Sequence, residues 1–168
     1  MRFFLEKVQD LRYGENPHQQ AAFYRFVDSK EHTLARAEQL HGKELSYNNI
    51  LDTDACWSAV REFGEPACVI VKHTNPCGTA IAGDVVEAYD KAHASDPISA
   101  YGGVMAFNRT VPLAVAEHIN ANGQFVEVMI APEFEPDALA LLSEKKNIRL
   151  VRTGGVRAVG GHYESRAV

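Results

Sequence analysis

The sequence predicts an α/β fold, a largely parallel mixed sheet with helices packed on it. Three observations carry that expectation. From about residue 48 onward, short apolar runs alternate with segments of helical periodicity, a succession that requires crossover connections. The apolar runs are rich in β-branched residues and lack polar alternation, as strands covered on both faces do. Helix start and stop signals fall between those runs rather than inside them.

The first 45 residues are the least regular. "RYGENPHQQ" (12–20) is a polar, turn-rich loop, "QAAFYRFV" (20–27) reads as an additional strand, and "TLARAEQLHG" (33–42) reads as a short helix ending at Gly42. In "NNILDTDACWSAVREFG" (48–64), Ile50, Trp57 and Val60 share a helical face and Gly64 supplies a stop. "ACVIVKH" (67–73) is a buried strand with no polar residue until Lys72, and Pro76 bars the strand from continuing. "GDVVEAYDKAHAS" (83–95) places Val85, Val86, Tyr89 and Ala92 at helical spacing behind Asp84, a natural N-cap. "GGVMAFN" (102–108) is a short strand, and "TVPLAVAEHINANG" (110–123) is a helix with proline near its first turn and glycine at its end. "FVEVMIAP" (125–132), "EPDALALLSEKK" (135–146) and "NIRLVRTG" (147–154) complete the series as strand, helix and strand. The tail carries two Gly-Gly pairs and no element that closes the fold. There is no internal repeat.

Bulk properties narrow the function. A chain of 168 residues suits one domain, 1–168, with a single sizeable core; 46% hydrophobic and 23% charged residues describe an ordinary globular protein. The net charge of −5 and pI of about 5.8 argue against nucleic acid as a partner, while leaving room for a local positive site that takes small anions. No run reaches the ~20 apolar residues that span a bilayer, so a membrane role is not expected. Three cysteines, Cys56, Cys68 and Cys77, without a Cys-x-x-Cys, fit neither a disulfide framework nor a four-ligand zinc site. A reducing cytoplasm is the natural setting.

Three polar clusters interrupt the apolar runs, at positions read as the carboxyl ends of strands, where α/β sheets bind ligands. Lys72-His73 closes one strand, Gly102-Gly103 allows close backbone approach, and Glu127 sits inside "FVEVMIAP". Each has a bland counterpart: a hydrogen-bonded structural histidine, an ordinary turn, a carboxylate facing solvent on an edge strand. Lys72 strengthens the case for His73, because a nearby cation favours a neutral imidazole able to accept a proton. Cys77 lacks an activating arrangement and reads as a small packed residue. The "PC" after the strand suggests a zinc deaminase, but His73 is followed by Thr74-Asn75 and Cys77 by Gly78-Thr79-Ala80, so the ligands and the catalytic glutamate of that chemistry are missing.

Five strings, "LRYGENPHQQAAFY", "LSYNNILDTDACW", "VKHTNPCGTA", "DPISAYGGVMAFNR" and "FVEVMIAP", resemble in order the transformylase region of the bifunctional AICAR transformylase / IMP cyclohydrolase family. The resemblance implies a three-layer α-β-α fold, similar to cytidine deaminases, and formyl transfer from 10-formyltetrahydrofolate to the 5-amine of aminoimidazole carboxamide ribonucleotide (AICAR). It makes His73 the proton acceptor and Lys72 the stabiliser of developing charge, with Arg12, Tyr13, Asn49, Gly102 and Glu127 contacting the nucleotide and no metal needed. It further implies a homodimer, and that residues 1–168 correspond to the first of two transformylase subdomains, with the cyclohydrolase domain and most of the folate site elsewhere. A non-catalytic nucleotide-binding or dimerisation module remains the alternative.

Overall fold

The structure, a computed structural model, describes residues 4–27 and 32–156. The end of the glycine-rich tail lies outside the described residues. Strands β1 (Leu5–Leu11) and β2 (Ala21–Phe26) form a two-stranded antiparallel ribbon. Its tip is the turn-rich loop, where Gly14 N donates to Gln19 O and Gln19 N to Asn16 O, both at 3.0 Å. β2 lies where a strand was expected. β1 carries no apolar alternation and gave no signal, because the ribbon is held by cross-strand pairing with most of β1 exposed.

The helix expected over residues 33–42 does not form. A single 3-10 turn, Leu34–Arg36, leads directly into β3 (Glu38–His41), and Ala37 is already extended at φ −69°, ψ 156°. Pairing with the last strand outweighs the helix propensity of "ARAEQL". Gly42 does end the element, with φ +94°, and a Cβ there would overlap the Ile148 carbonyl.

The remaining elements are α1 (Tyr47–Val60), β4 (Ala67–Lys72), β5 (Asn75–Ile81), α2 (Val85–Ser95), the one-turn α3 (Pro97–Ala100), β6 (Gly103–Phe107), α4 (Leu113–Ala121), β7 (Val126–Ala131), α5 (Pro136–Ser143) and β8 (Arg149–Arg152). They build a six-stranded mixed sheet in the order β3-β8-β7-β6-β4-β5. β6, β7 and β8 are parallel, joined by the crossovers read from the sequence. β4 instead runs antiparallel to both of its neighbours. The reason is β5, a strand concealed by Pro76 and Gly78. It is an edge strand, where proline is tolerated, and a register shift between Ile70 and Val71 accommodates it. The crossover through α2 therefore starts from β5 and passes over β4 to reach β6.

Both sheet faces are covered. Cys68, Ile70, Met105, Phe107 and Met129 point into one apolar layer with Tyr89, Ile119 and Leu142 from the helices. Val69, Val71, Val104, Val128 and Ile130 point into the other, against Trp57 and Val60 of α1. This is the unbroken apolar pattern of doubly covered strands. Among the described residues no helix is long and apolar enough to cross a membrane.

Gly78 lies against the end of α2, and a Cβ there would overlap the Ala92 carbonyl oxygen. Replacing Gly78 with Ala is expected to lower stability by about 1–3 kcal/mol, read as a reduced urea midpoint. An unchanged midpoint would show that the α2–β5 contact is looser than described.

Candidate active site

Because β4 opposes β6, β7 and β8, its carboxyl end lies at their amino ends. Lys72 closes β4, Gly102 immediately precedes β6, Glu127 is the second residue of β7, and Arg149 opens β8. The expectation that all three polar clusters sit at carboxyl ends holds for Lys72-His73 alone. Gly102 and Glu127 lie at amino ends, and the reversal of β4 is what brings the clusters to one edge.

Helix α1 enters at the same edge, and its start is locked by a reciprocal cap. Ser46 Oγ accepts from Asn49 N (3.2 Å) and Asn49 Oδ1 accepts from Ser46 N (3.1 Å). The other side of the Asn49 amide is thereby aimed outward, and Nδ2 donates to Glu127 Oε1 at 3.0 Å. Glu127 can meet it because the register jumps from Gly103↔Val126 to Val104↔Val128, leaving Glu127 as an extra, bulged residue. β7 is an interior strand, so the reading of Glu127 as an edge-strand carboxylate is corrected. Arg149 Nη1 also approaches Glu127 Oε1, at 3.7 Å.

The ribbon completes a cleft of about 560 Å³, a size suited to a small polar ligand. Gln9 Nε2 donates to Leu45 O (3.1 Å) and fastens β1 beside the start of α1, so that Arg12 and Tyr13 line the cleft with Asn49 and Glu127. The Arg12 guanidinium carbon stands 5.8 Å from the Tyr13 ring centre. Arg12, Lys43 and Arg149 give the lining three cationic groups, set against Glu44 and Glu127. Such a mixture can bind an anion through the cations and hydroxyls through the carboxylates.

Lys72, His73 and Gly102 lie outside that lining, farther along the edge. Lys72 Nζ donates to the Tyr101 carbonyl at 2.8 Å. His73 and Thr74 alone form the loop between β4 and β5, with φ of +53° and +60°, both in the left-handed region. A two-residue hairpin loop favours that conformation, but Asn-Gly is its usual occupant. A side chain in this region costs roughly 1–2 kcal/mol per residue, and a β-branched threonine is a clear outlier. Thr74 N donates to Asp52 Oδ1 (2.8 Å), and Asn75 Nδ2 donates to the His73 carbonyl (2.8 Å). Asp52 lies three residues beyond Asn49 on α1, about 4.5 Å along the axis. One helix thus touches both the cleft and the turn that bears His73, whose side chain is exposed.

Burial pushes the Cys77 thiol above its ordinary value, and its Sγ faces the Ile70 carbonyl at 3.6 Å, as expected of a packed residue rather than a nucleophile. Gln124 was not anticipated. It is buried at 3% exposure, donates through Nε2 to the carbonyls of Ala100 and Phe125, and receives His93 Nε2 at 3.1 Å from Oε1. Phe125 O also accepts Gly102 N at 2.8 Å, with Gly102 at φ +75°. Asp96 caps α3 through Ser99, whose hydrogen bonds hold the Asp96 carboxyl below the usual range. The carbonyl that receives Lys72 therefore belongs to a segment clamped at both ends. Nothing in the spacing of "NGQF" signals this, since a lone glutamine carries no periodicity. Lys43, Ser46, Asp52 and Arg149 were missed for the same reason.

The fold is thus an α/β domain with a charged cleft at the end of the sheet where β7, β8 and α1 begin. The sequence model of the AICARFT/IMPCHase bienzyme family matches residues 1–168, and the chain belongs to that family. The bifunctional purine biosynthesis proteins PurH of Desulfitobacterium hafniense strains DCB-2 and Y51 are each 59% identical over 147 residues, covering 88% of this chain and 28% of their own length. The chain thus spans 28% of the curated relatives it matches. A solved structure from Desulfotalea psychrophila, described as a candidate formate dehydrogenase accessory protein, overlaps 94% of both chains at a TM-score of 0.49 and 10% identity.

Replacing Gln124 with Leu removes the side-chain donor to the Ala100 and Phe125 carbonyls, of which Phe125 O keeps Gly102 N, and the acceptor facing the His93 ring. The variant is expected to lose about 1–3 kcal/mol in urea unfolding. A parental midpoint would contradict the clamp.

Proposed function

We propose that this chain carries the nucleotide-binding and proton-transfer half of a purine-biosynthetic AICAR formyltransferase. One observation carries the reading: α1 touches the charged cleft through Asn49 and the Lys72-His73 turn through Asp52, one helical turn apart. The cleft takes the ribonucleotide, with Arg12 on the phosphate through its planar fork and Tyr13, Asn49 and Glu127 on the remaining polar groups. Gly102, which has no side chain to obstruct approach, lines the path toward the base.

The reacting amine of AICAR is a weak nucleophile because its lone pair is delocalised into the ring and carboxamide. Its nitrogen forms a bond to the formyl carbon of 10-formyltetrahydrofolate while His73 accepts the proton. The Lys72 ammonium, already directed by the Tyr101 carbonyl, stabilises the negative charge that grows on the formyl oxygen. The bond to folate N10 then breaks and N10 takes up a proton. Folate contacts beyond this edge, and a second copy of the chain, complete the site in a cytoplasmic homodimer. No step calls for a metal.

In the complete natural polypeptide, His73→Ala is expected to lose about 10²–10⁴-fold in formyl transfer, while AICAR still binds in isothermal titration. Retention of most turnover by this variant would remove His73 from the chemistry. Arg12→Ala should show the converse, weakened AICAR binding.

A further inference from the structure

We propose that Asp52 is a positioning residue for His73: its carboxylate holds the His73-Thr74 turn in a left-handed conformation and so fixes where the imidazole stands. The inference rests on His73 being the proton acceptor.

Two residues that disfavour positive φ occupy the whole loop between β4 and β5. Such strain persists only where the surroundings over-determine it. The bonds from Thr74 Oγ1 and from Asn75 Nδ2 to the His73 carbonyl lie within the turn and move with it. The bond from Thr74 N to Asp52 Oδ1, at 2.8 Å, ties the turn to a different element. That element is rigidly placed. On α1 the neighbouring Thr53, Cys56 and Trp57 are buried, and Cys56 Sγ reaches the Val69 and Val104 carbonyls at 3.2 and 3.5 Å. Asp52 therefore transmits the position of a packed helix to the tip of a hairpin. An imidazole that accepts a proton during bond formation works only over a narrow range of positions, and a displacement of ~1 Å can cost ~100-fold in rate. A geometric role needs an acceptor oxygen at Asp52, not a charge.

The test is a set of variants in the complete natural polypeptide, assayed for formyl transfer with His73→Ala as the reference. Asp52→Ala is expected to lower kcat about 10- to 100-fold with little change in the KM for AICAR, which reports that the cleft on the same helix remains formed. Asp52→Asn, whose amide oxygen accepts the same bond, should keep most of kcat. Adding Thr74→Gly to Asp52→Ala should recover part of the loss, because glycine adopts positive φ without strain. Hydrogen exchange at the Thr74 amide should accelerate in Asp52→Ala and stay slow in Asp52→Asn. Parental kcat in Asp52→Ala, equal losses in Asn and Ala, or no recovery with Thr74→Gly would each overturn the proposal. If His73→Ala itself keeps turnover, the underlying reading of His73 has failed; if it is inactive while Asp52→Ala is fully active, only the role of Asp52 has.

Discussion

A two-residue turn, His73-Thr74, reverses the chain between β4 and β5, and the direction thereby given to β4 governs where the polar groups of the edge fall. β4 is six residues long, a span of roughly 20 Å at strand rise. Had it run parallel to β6, as a simple strand–helix succession implies, Lys72 would stand at the opposite end of the sheet from Glu127 and Arg149. The crossover through α2 begins from β5 instead, so β4 lies between two strands that oppose it. The Lys-His pair is then delivered to the edge where β6, β7, β8 and α1 begin.

Helix α1 joins the pieces on that edge. Its cap fixes the Asn49 amide, whose free side meets a glutamate turned out of the β7 ladder by a bulge. One turn later Asp52 meets the hairpin tip. The helix cannot slide without losing the packing of Trp57 and Val60, both almost fully buried. The edge is thus referenced to a single rigid body, which is what proton transfer between a fixed base and a bound nucleotide requires. The strain at His73 and Thr74 fits the same logic, since it confines the imidazole at the expense of local stability.

Much of this was legible in the residues. The apolar runs that became β4, β6, β7 and β8, and the helical periodicity of α1, α2, α4 and α5, depend on burial and so leave a pattern. β1, β3 and β5 left none: they are a ribbon strand and two sheet edges, held by backbone pairing, and β5 carries Pro76 and Gly78. The concealment of β5 also hides the reversal of β4, whereas Gly102 and Glu127 stand at the amino ends of their strands whichever way β4 runs. Lys72, His73 and Glu127 stand out as polar interruptions of apolar runs, whereas Arg12, Tyr13 and Asn49 enter only through family resemblance; the structure brings Arg12, Tyr13, Asn49 and Glu127 into one cleft. Asp52, Gln124 and Arg149 act through contacts between segments distant in sequence, and no local spacing encodes such contacts.

In the proposed function, one edge of the sheet, rather than its opposite, holds the nucleotide beside Lys72 and His73. Amide chemical-shift mapping during titration with AICAR tests it most directly. Perturbations are expected at Tyr13, Asn49, His73, Gly102 and Glu127, with the opposite edge at Phe107, Ala131 and Arg152 unmoved. Perturbations confined to that opposite edge would contradict that placement.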